Sequence, residues 1–211
     1  MRVVSALNAC LALYPQAHYA EILMLLRGVQ DYLGEITFLH EGFQTGKPTA
    51  DQERFVEHFF EEYGDGSGAE IVANPPRGSL VERKKIQAAQ ARLLTPENPH
   101  GTQKIGLAID AVMSGYMHGS YQSVMELYEG GTYRFRLNGM AGTPRAREAE
   151  RQIVLNVHRA LNVIKGIAWS MNDDAVFDAM QPVRIAFERS AACEDMDLAV
   201  PVRDETSDRS P

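Results

Sequence analysis

Apolar residues recur every three or four positions over most of this sequence, and that spacing constrains the fold more than any other feature. Over residues 15–41 they fall on one side of a helix, with a proline in the first turn, where its missing N–H costs nothing. Near residues 133–137 the period changes to two, which indicates one short extended segment. The same helical spacing predicts a short core helix over residues 2–13 and longer helices over 50–63, 80–93, 102–128, 143–171 and 174–191.

These segments predict an all-α protein, a single bundle of five or six helices with at most one short strand. A chain of 211 residues is long enough for one well-buried domain. We expect that domain to span residues 1–193. The remaining residues, 194–211, are acidic, contain proline and lack aromatic side chains, so we expect a disordered tail.

Charge and cysteine content exclude several classes of protein. The net charge of −7 argues against the nonspecific wrapping of DNA, which needs a basic surface. No uncharged apolar stretch reaches the roughly 18 residues that a membrane-spanning helix needs. Cys10 and Cys193 lie far apart and fit no disulfide framework or metal-ligand spacing, which favours a reducing compartment. We therefore expect a cytoplasmic protein with no membrane contact.

The predicted helix over residues 102–128 has apolar residues on two sides and no charged residue between positions 111 and 125. This pattern predicts that it is the buried central helix of the bundle. Ser114 and His118 lie one turn apart on it, so we expect His118 to be a partly buried imidazole. Two interpretations remain open, a hydrogen-bonded core residue and a ligand contact or acid/base group inside a pocket.

The predicted helix over residues 143–171 carries a second informative line of side chains. Arg151 and His158 are separated by two helical turns, so they lie on the same face. An arginine and a histidine can hold a phosphate and move a proton, which is the minimum for metal-independent RNA cleavage through the 2′-hydroxyl. Trp169, Asn162 and Lys165 continue the line and favour a surface that binds a base or a partner subunit. A solvated helix face accounts for the same pattern.

Metal and cofactor sites are not supported by the sequence. A di-iron site in a helical bundle needs a Glu-x-x-His pair on each of two helices, and the chain does not supply two. A site of three histidines could draw on His40, His118 and His158, but the spacing does not favour this set over any other three. We therefore predict no metal and no cofactor.

Two segments resemble the HEPN superfamily of prokaryotic α-helical proteins, LMLLRGVQDYLGEITFL and AIDAVMSGYMHGSYQSVMELY. The second contains the S-x-x-x-H pattern of some members, from Ser114 to His118. The resemblance implies a dimeric helical bundle, and RNase activity through an R-x(4 to 6)-H motif that Arg151 and His158 match. It also implies a defence or toxin–antitoxin setting, with RNA or an antitoxin as partner. Gln152 stands where the family usually has Asn, Asp or His, which leaves open a relative without RNase activity.

Taken together, these patterns predict a HEPN-like homodimer that cleaves or binds RNA, with Arg151 and His158 as the catalytic residues. The predicted binding residues are Ser114, His118, Asn162, Lys165 and Trp169. One alternative is a non-enzymatic interaction module that forms a homodimer through the line ending at Trp169. The other is a small-molecule pocket protein centred on His118.

Overall fold

The computed structural model describes residues 1–62, 81–129, 134–136 and 138–191. In this part of the chain, eight α-helices and one 3₁₀ turn, Tyr14–Gln16, account for the fold. The helices are α1 (Arg2–Leu13), α2 (Tyr19–Thr45), α3 (Ala50–Glu62), α4 (Arg83–Leu94), α5 (Pro99–Met117), α6 (Tyr121–Met125), α7 (Arg145–Ser170) and α8 (Asp174–Ser190). The predicted tail over 194–211 lies outside the described residues.

The prediction of an all-α protein is confirmed. Within the described ranges, β-type pairing is limited to one isolated antiparallel bridge between Tyr128 and Phe135, which falls where the short extended segment was expected. The described residues alone form eight α-helices, so the prediction of five or six is not confirmed. None of the described helices is long and apolar enough to span a membrane.

Short polar side chains fix where several helices begin. Ser120 Oγ accepts the backbone N–H of Ser123 at 3.3 Å at the start of α6. Asp173 Oδ1 accepts the N–H of Val176 at 3.1 Å at the start of α8. Each cap satisfies a backbone donor that the helix itself leaves unpaired and stabilises the helix by about 1 kcal/mol.

The central helix of the structure is α2. It packs against α1, α3, α4, α5 and α7. Ile22, Leu26 and Val29 on α2 are all 0% exposed. Burying an aliphatic side chain of this size contributes about 1.5–3 kcal/mol, so this helix organises most of the core.

The prediction that residues 102–128 form the buried central helix is wrong. The segment divides into α5 and α6 because Gly119 adopts a left-handed φ of 61° and Ser120 then caps a new helix. On α5, Ile105 is 63% exposed and Val112 is 62% exposed. The absence of charge on this segment therefore does not reflect burial, and α5 packs through one face only.

The last helix, α8, lies on the surface of α7. It buries none of its residues, and it continues through Pro182 instead of ending there. Its position bears on the predicted site because Glu188 and Gln181 on α8 contact His158 and Lys165, two residues of the line predicted on the 143–171 helix.

Candidate functional site

A cavity of about 220 Å³ lies between α2, α4, α7 and α8. Residues on α7 that are three or four positions apart share one helical face, and this face forms much of the wall. The α7 residues that line the cavity are Arg159, Asn162, Val163, Lys165, Gly166 and Trp169. The other three helices close the remaining sides.

The cavity is lined by cations without carboxylates. Arg92, Arg159 and Lys165 line it, and no Asp or Glu from the described residues does. Arg92 is neutralised from outside the cavity, because its Nη2 donates to Glu41 Oε2 at 2.8 Å. The uncompensated positive charge therefore comes from Arg159 and Lys165.

The side chain of Arg159 makes no hydrogen bond and no ion pair with any residue that the structure describes. Burial lowers the pKa of Arg159 to about 10, with the charge of Asp110 offsetting part of this effect and that of Arg83 adding to it. At neutral pH the guanidinium is still charged. An arginine with five donors and no acceptor is equipped to bind an anion.

Lys165 is a buried ammonium whose neighbours are mainly neutral. The residue is 5% exposed, its Nζ donates to the Gln181 side chain on α8, and it lies 4.6 Å from the centroid of the Phe177 ring. Burial lowers the pKa of Lys165, and the charge of Arg184 lowers it further, whereas Glu188 opposes the change. Desolvating a charge without a direct counterion is costly, and an anion in the cavity would compensate it.

His40 contributes a neutral polar edge on the α2 side. Burial lowers the pKa of His40 below 6.5, so the ring is uncharged at neutral pH. Its Nε2 hydrogen-bonds with Ser170 Oγ, and that hydroxyl in turn donates to the Gly166 carbonyl at 3.1 Å. Because the hydroxyl proton is used there, His40 Nε2 is the donor. A Cβ at Gly166 would lie 3.3 Å from His40 Cε1, so the glycine allows the ring to approach.

Apolar side chains form the rest of the wall. Trp169, the only tryptophan of the chain, is 40% exposed, and Phe177 reaches in from α8. Leu93, Leu94 and Val163 complete this part of the lining. Ligand sites commonly combine an apolar wall with a few placed polar groups, and this cavity has that composition.

The structure separates the two predicted catalytic residues. Arg151 is exposed on α7, whereas His158 is 1% exposed and lies beneath α8. His158 Nε2 is 2.8 Å from Glu188 Oε1 on α8, and the Asn162 amide nitrogen lies 3.3 Å from the same ring atom. A substrate could not reach this imidazole while α8 is in place.

Three of the predicted binding residues, Asn162, Lys165 and Trp169, line the cavity together, but the other two lie elsewhere. Arg27 Nε on α2 donates a hydrogen bond to Ser114 Oγ at 3.4 Å. His118 ends α5 and is exposed, so the expectation of a partly buried imidazole is wrong.

The chain matches no family model, no curated protein and no solved structure. The resemblance to the HEPN superfamily therefore stays a prediction, as do the roles of Arg151 and His158 in RNA cleavage. In the part of the chain that the structure describes, no group of three His, Cys, Asp or Glu side chains could hold a metal ion.

Sequence reasoning missed Arg159, Arg92 and Phe177 as cavity residues. A signal for Arg159 was present, because it lies one turn before Asn162 and so on the same face of the helix. Arg92 and Phe177 carried no local signal. They reach the cavity only through the packing of α4 and α8 around α7.

Proposed function

We propose that this protein binds a small organic anion in the cavity between α2, α4, α7 and α8. The observation that carries the proposal is the guanidinium of Arg159, which lines the cavity without a hydrogen-bonded or ion-paired carboxylate among the described residues. Lys165 adds a second positive charge whose direct hydrogen-bond partner is neutral. A buried cation without a counterion is rare in proteins unless a ligand supplies the opposite charge.

The rest of the molecule does not favour anions at long range. The net charge of −7 repels them, although salt screens this repulsion beyond a distance of about 8 Å at physiological ionic strength. Selective binding therefore has to come from the charges inside the cavity. Those charges act more strongly than exposed surface charges because burial desolvates Arg159 and Lys165.

The size of the cavity limits the ligand. A volume of about 220 Å³ falls below the range of roughly 300–1,000 Å³ that is typical of sites for drug-sized molecules. The ligand that we propose is correspondingly small. It presents its anionic group to Arg159 and its apolar body to Trp169 and Phe177.

The experiment is a calorimetric titration with small carboxylates and phosphate monoesters, each paired with its uncharged amide or alcohol. We expect the anions to bind and their neutral partners to bind much more weakly. Arg159→Gln should lower the affinity by about tenfold or more, because a charge-assisted hydrogen bond is lost. Arg147→Gln is the matched control, since Arg147 is exposed on the same helix and does not line the cavity.

Two results would contradict the proposal. One is equal affinity for the anions and their neutral analogues. The other is an equal loss of affinity in Arg159→Gln and Arg147→Gln. Thermal unfolding of both variants separates a binding defect from a folding defect. Removing the unpaired cation of Arg159 should not destabilise the fold, because that charge is desolvated without a partner.

RNA cleavage by Arg151 and His158 stays a second prediction. It requires α8 to leave α7, since Glu188 on α8 holds the His158 imidazole. Incubation of the full chain with total RNA, with and without a chelator, tests it. The double variant Arg151→Ala and His158→Ala should abolish any cleavage, and assembly into a homodimer can be measured on the same samples by light scattering.

A further inference from the structure

We infer that the ligand is an aromatic monocarboxylate of about the size of phenylacetate. This inference rests on the proposed function, because it names the chemical class of the anion. It is carried by two features of the same cavity. The first is that Arg159 has no hydrogen-bond or ion-pair partner among the described residues, whereas Lys165 already donates to Gln181. The second is the presence of aromatic side chains beside these two cations.

The first feature sets the charge and shape of the anionic group. Arg159 offers a planar fork of donors, and that fork matches the two oxygens of a carboxylate. Lys165 is already engaged by Gln181 and the face of Phe177, so it supplies positive potential more than free hydrogen bonds. A single carboxylate satisfies the one cation that has no partner.

The second feature sets the body of the ligand. Trp169 is the only tryptophan of the chain, and 40% of its surface remains exposed although it lines the cavity. Aromatic rings prefer stacked or edge-to-face neighbours, which adds to the gain from burying their area. An aromatic ring attached to the carboxylate would cover Trp169 and contact Phe177, whereas a short aliphatic acid would leave both unused.

Polar groups at the α2 edge are consistent with this class. His40 is held by Ser170 and is neutral at pH 7, so it adds no third charge to the cavity. Arg159 is the one cavity-lining cation without a hydrogen-bond or ion-pair partner among the described residues, which fits a monoanion better than a dianion with several oxygens to satisfy. The volume of about 220 Å³ also favours a ligand smaller than a nucleotide, which is a drug-sized molecule.

The test measures the binding of four probes to the full chain: phenylacetate, phenylacetamide, phenyl phosphate and acetate. Trp169 fluorescence reports on the cavity directly because the chain contains one tryptophan. We expect phenylacetate to bind about tenfold or more tighter than acetate, because a ring is buried. We expect a similar advantage over phenylacetamide, because the amide leaves Arg159 without a counterion.

A pair of variants assigns the ring contact. Calorimetry measures the affinities of these variants. Trp169→Leu should lower the affinity for phenylacetate by about tenfold and leave the affinity for acetate unchanged, and Trp169→Phe should restore most of the lost affinity. Tyr121→Leu is the control, because Tyr121 is a 78% exposed aromatic residue that does not line the cavity. Unfolding curves of all three variants confirm that they fold.

The possible outcomes distinguish this inference from the function on which it rests. If acetate, phenyl phosphate and phenylacetate bind equally well, the cavity binds anions, but the inference that its ligand is an aromatic monocarboxylate is wrong. If phenylacetamide binds as tightly as phenylacetate, the anion-binding function is itself overturned. If no probe and no other small anion binds, both proposals are wrong.

Discussion

Asp110→Ala tests how the helices around α2 are held together. Asp110 lies on α5 and is 7% exposed. Its Oδ2 accepts hydrogen bonds from Arg83 Nε at 3.0 Å and from Gln87 Nε2 at 2.7 Å, both on α4. Arg27 Nη1 on α2 lies 3.9 Å from its Oδ1. One carboxylate thus joins three helices, and the substitution leaves its partners without that acceptor.

The expected cost follows from these contacts. Breaking a buried ion pair by removing one partner costs about 3–5 kcal/mol. Here the lower end applies, because Asp31 also pairs with Arg27 and Arg83 and remains in place. For a chain of 150–250 residues, 1 kcal/mol corresponds to about 2–4 °C in Tm, so we expect Tm to fall by roughly 6–12 °C.

Urea and thermal unfolding, followed by circular dichroism, measure this loss. Asp178→Ala is the control, because Asp178 is an exposed acid on α8 whose removal should change stability by no more than about 0.5 kcal/mol. The charge of Asp110 also offsets that of Arg159, so Asp110→Asn should bind small anions more tightly while it folds less stably. A stability loss equal to that of Asp178→Ala, or weaker anion binding in Asp110→Asn, would refute the reasoning.

Three further predictions follow from individual residues. Lys165→Met should leave stability unchanged or raise it, because a desolvated charge is removed, yet weaken anion binding by about tenfold; a melt and a titration measure both. The pKa of His40 is lower in the folded chain than in the unfolded chain, so as the pH falls the unfolded chain is protonated first. The stability that neutral His40 contributes is therefore lost as the pH falls below about 6.5. Urea unfolding as a function of pH should show this loss in the wild type, and a smaller one in His40→Gln. Gly139→Ala should destabilise the fold by about 2 kcal/mol or more, since φ is 93° and the new Cβ would lie 2.4 Å from the Gln16 carbonyl oxygen. Gly142→Ala, where φ is 75° with nothing within 4 Å, should cost less in the same melts.

Helix positions were predictable because helical periodicity is a local signal. The expected core helix over residues 2–13 matches Arg2–Leu13, and the segment predicted over 174–191 matches Asp174–Ser190. Each of these segments carries its own apolar spacing or capping residue. The break at Gly119 was harder to foresee, because a glycine inside an apolar run also suits close helix packing.

Burial was not predictable from charge. Arg27 lies on the central helix and is 9% exposed, because Asp31 and Asp110 pair with it from two helices. A charged residue on α2 therefore did not mark a solvated face. Conversely, Val112 belongs to an uncharged stretch and is exposed. Which helix lies in the centre depends on contacts between distant segments, and a single sequence does not display them.

The candidate site was predictable only where it depends on the geometry of a single helix. The line through Asn162, Lys165 and Trp169 follows from helical geometry alone, and these residues do line one cavity. His158 belongs to the same line but is covered by α8. The sequence contains no signal for where α8 packs, because that helix buries none of its own residues.

No residue of α8 is buried, and local opening is easiest in segments with few buried apolar contacts. Backbone amides of α8 should therefore exchange with deuterated solvent through a local opening that leaves the α2 core intact. Each such opening would bring water to His158 and Lys165 together, since Glu188 and Gln181 hold both from the same helix. Opening of this one outer helix would therefore expose two residues on the same face of α7 at once.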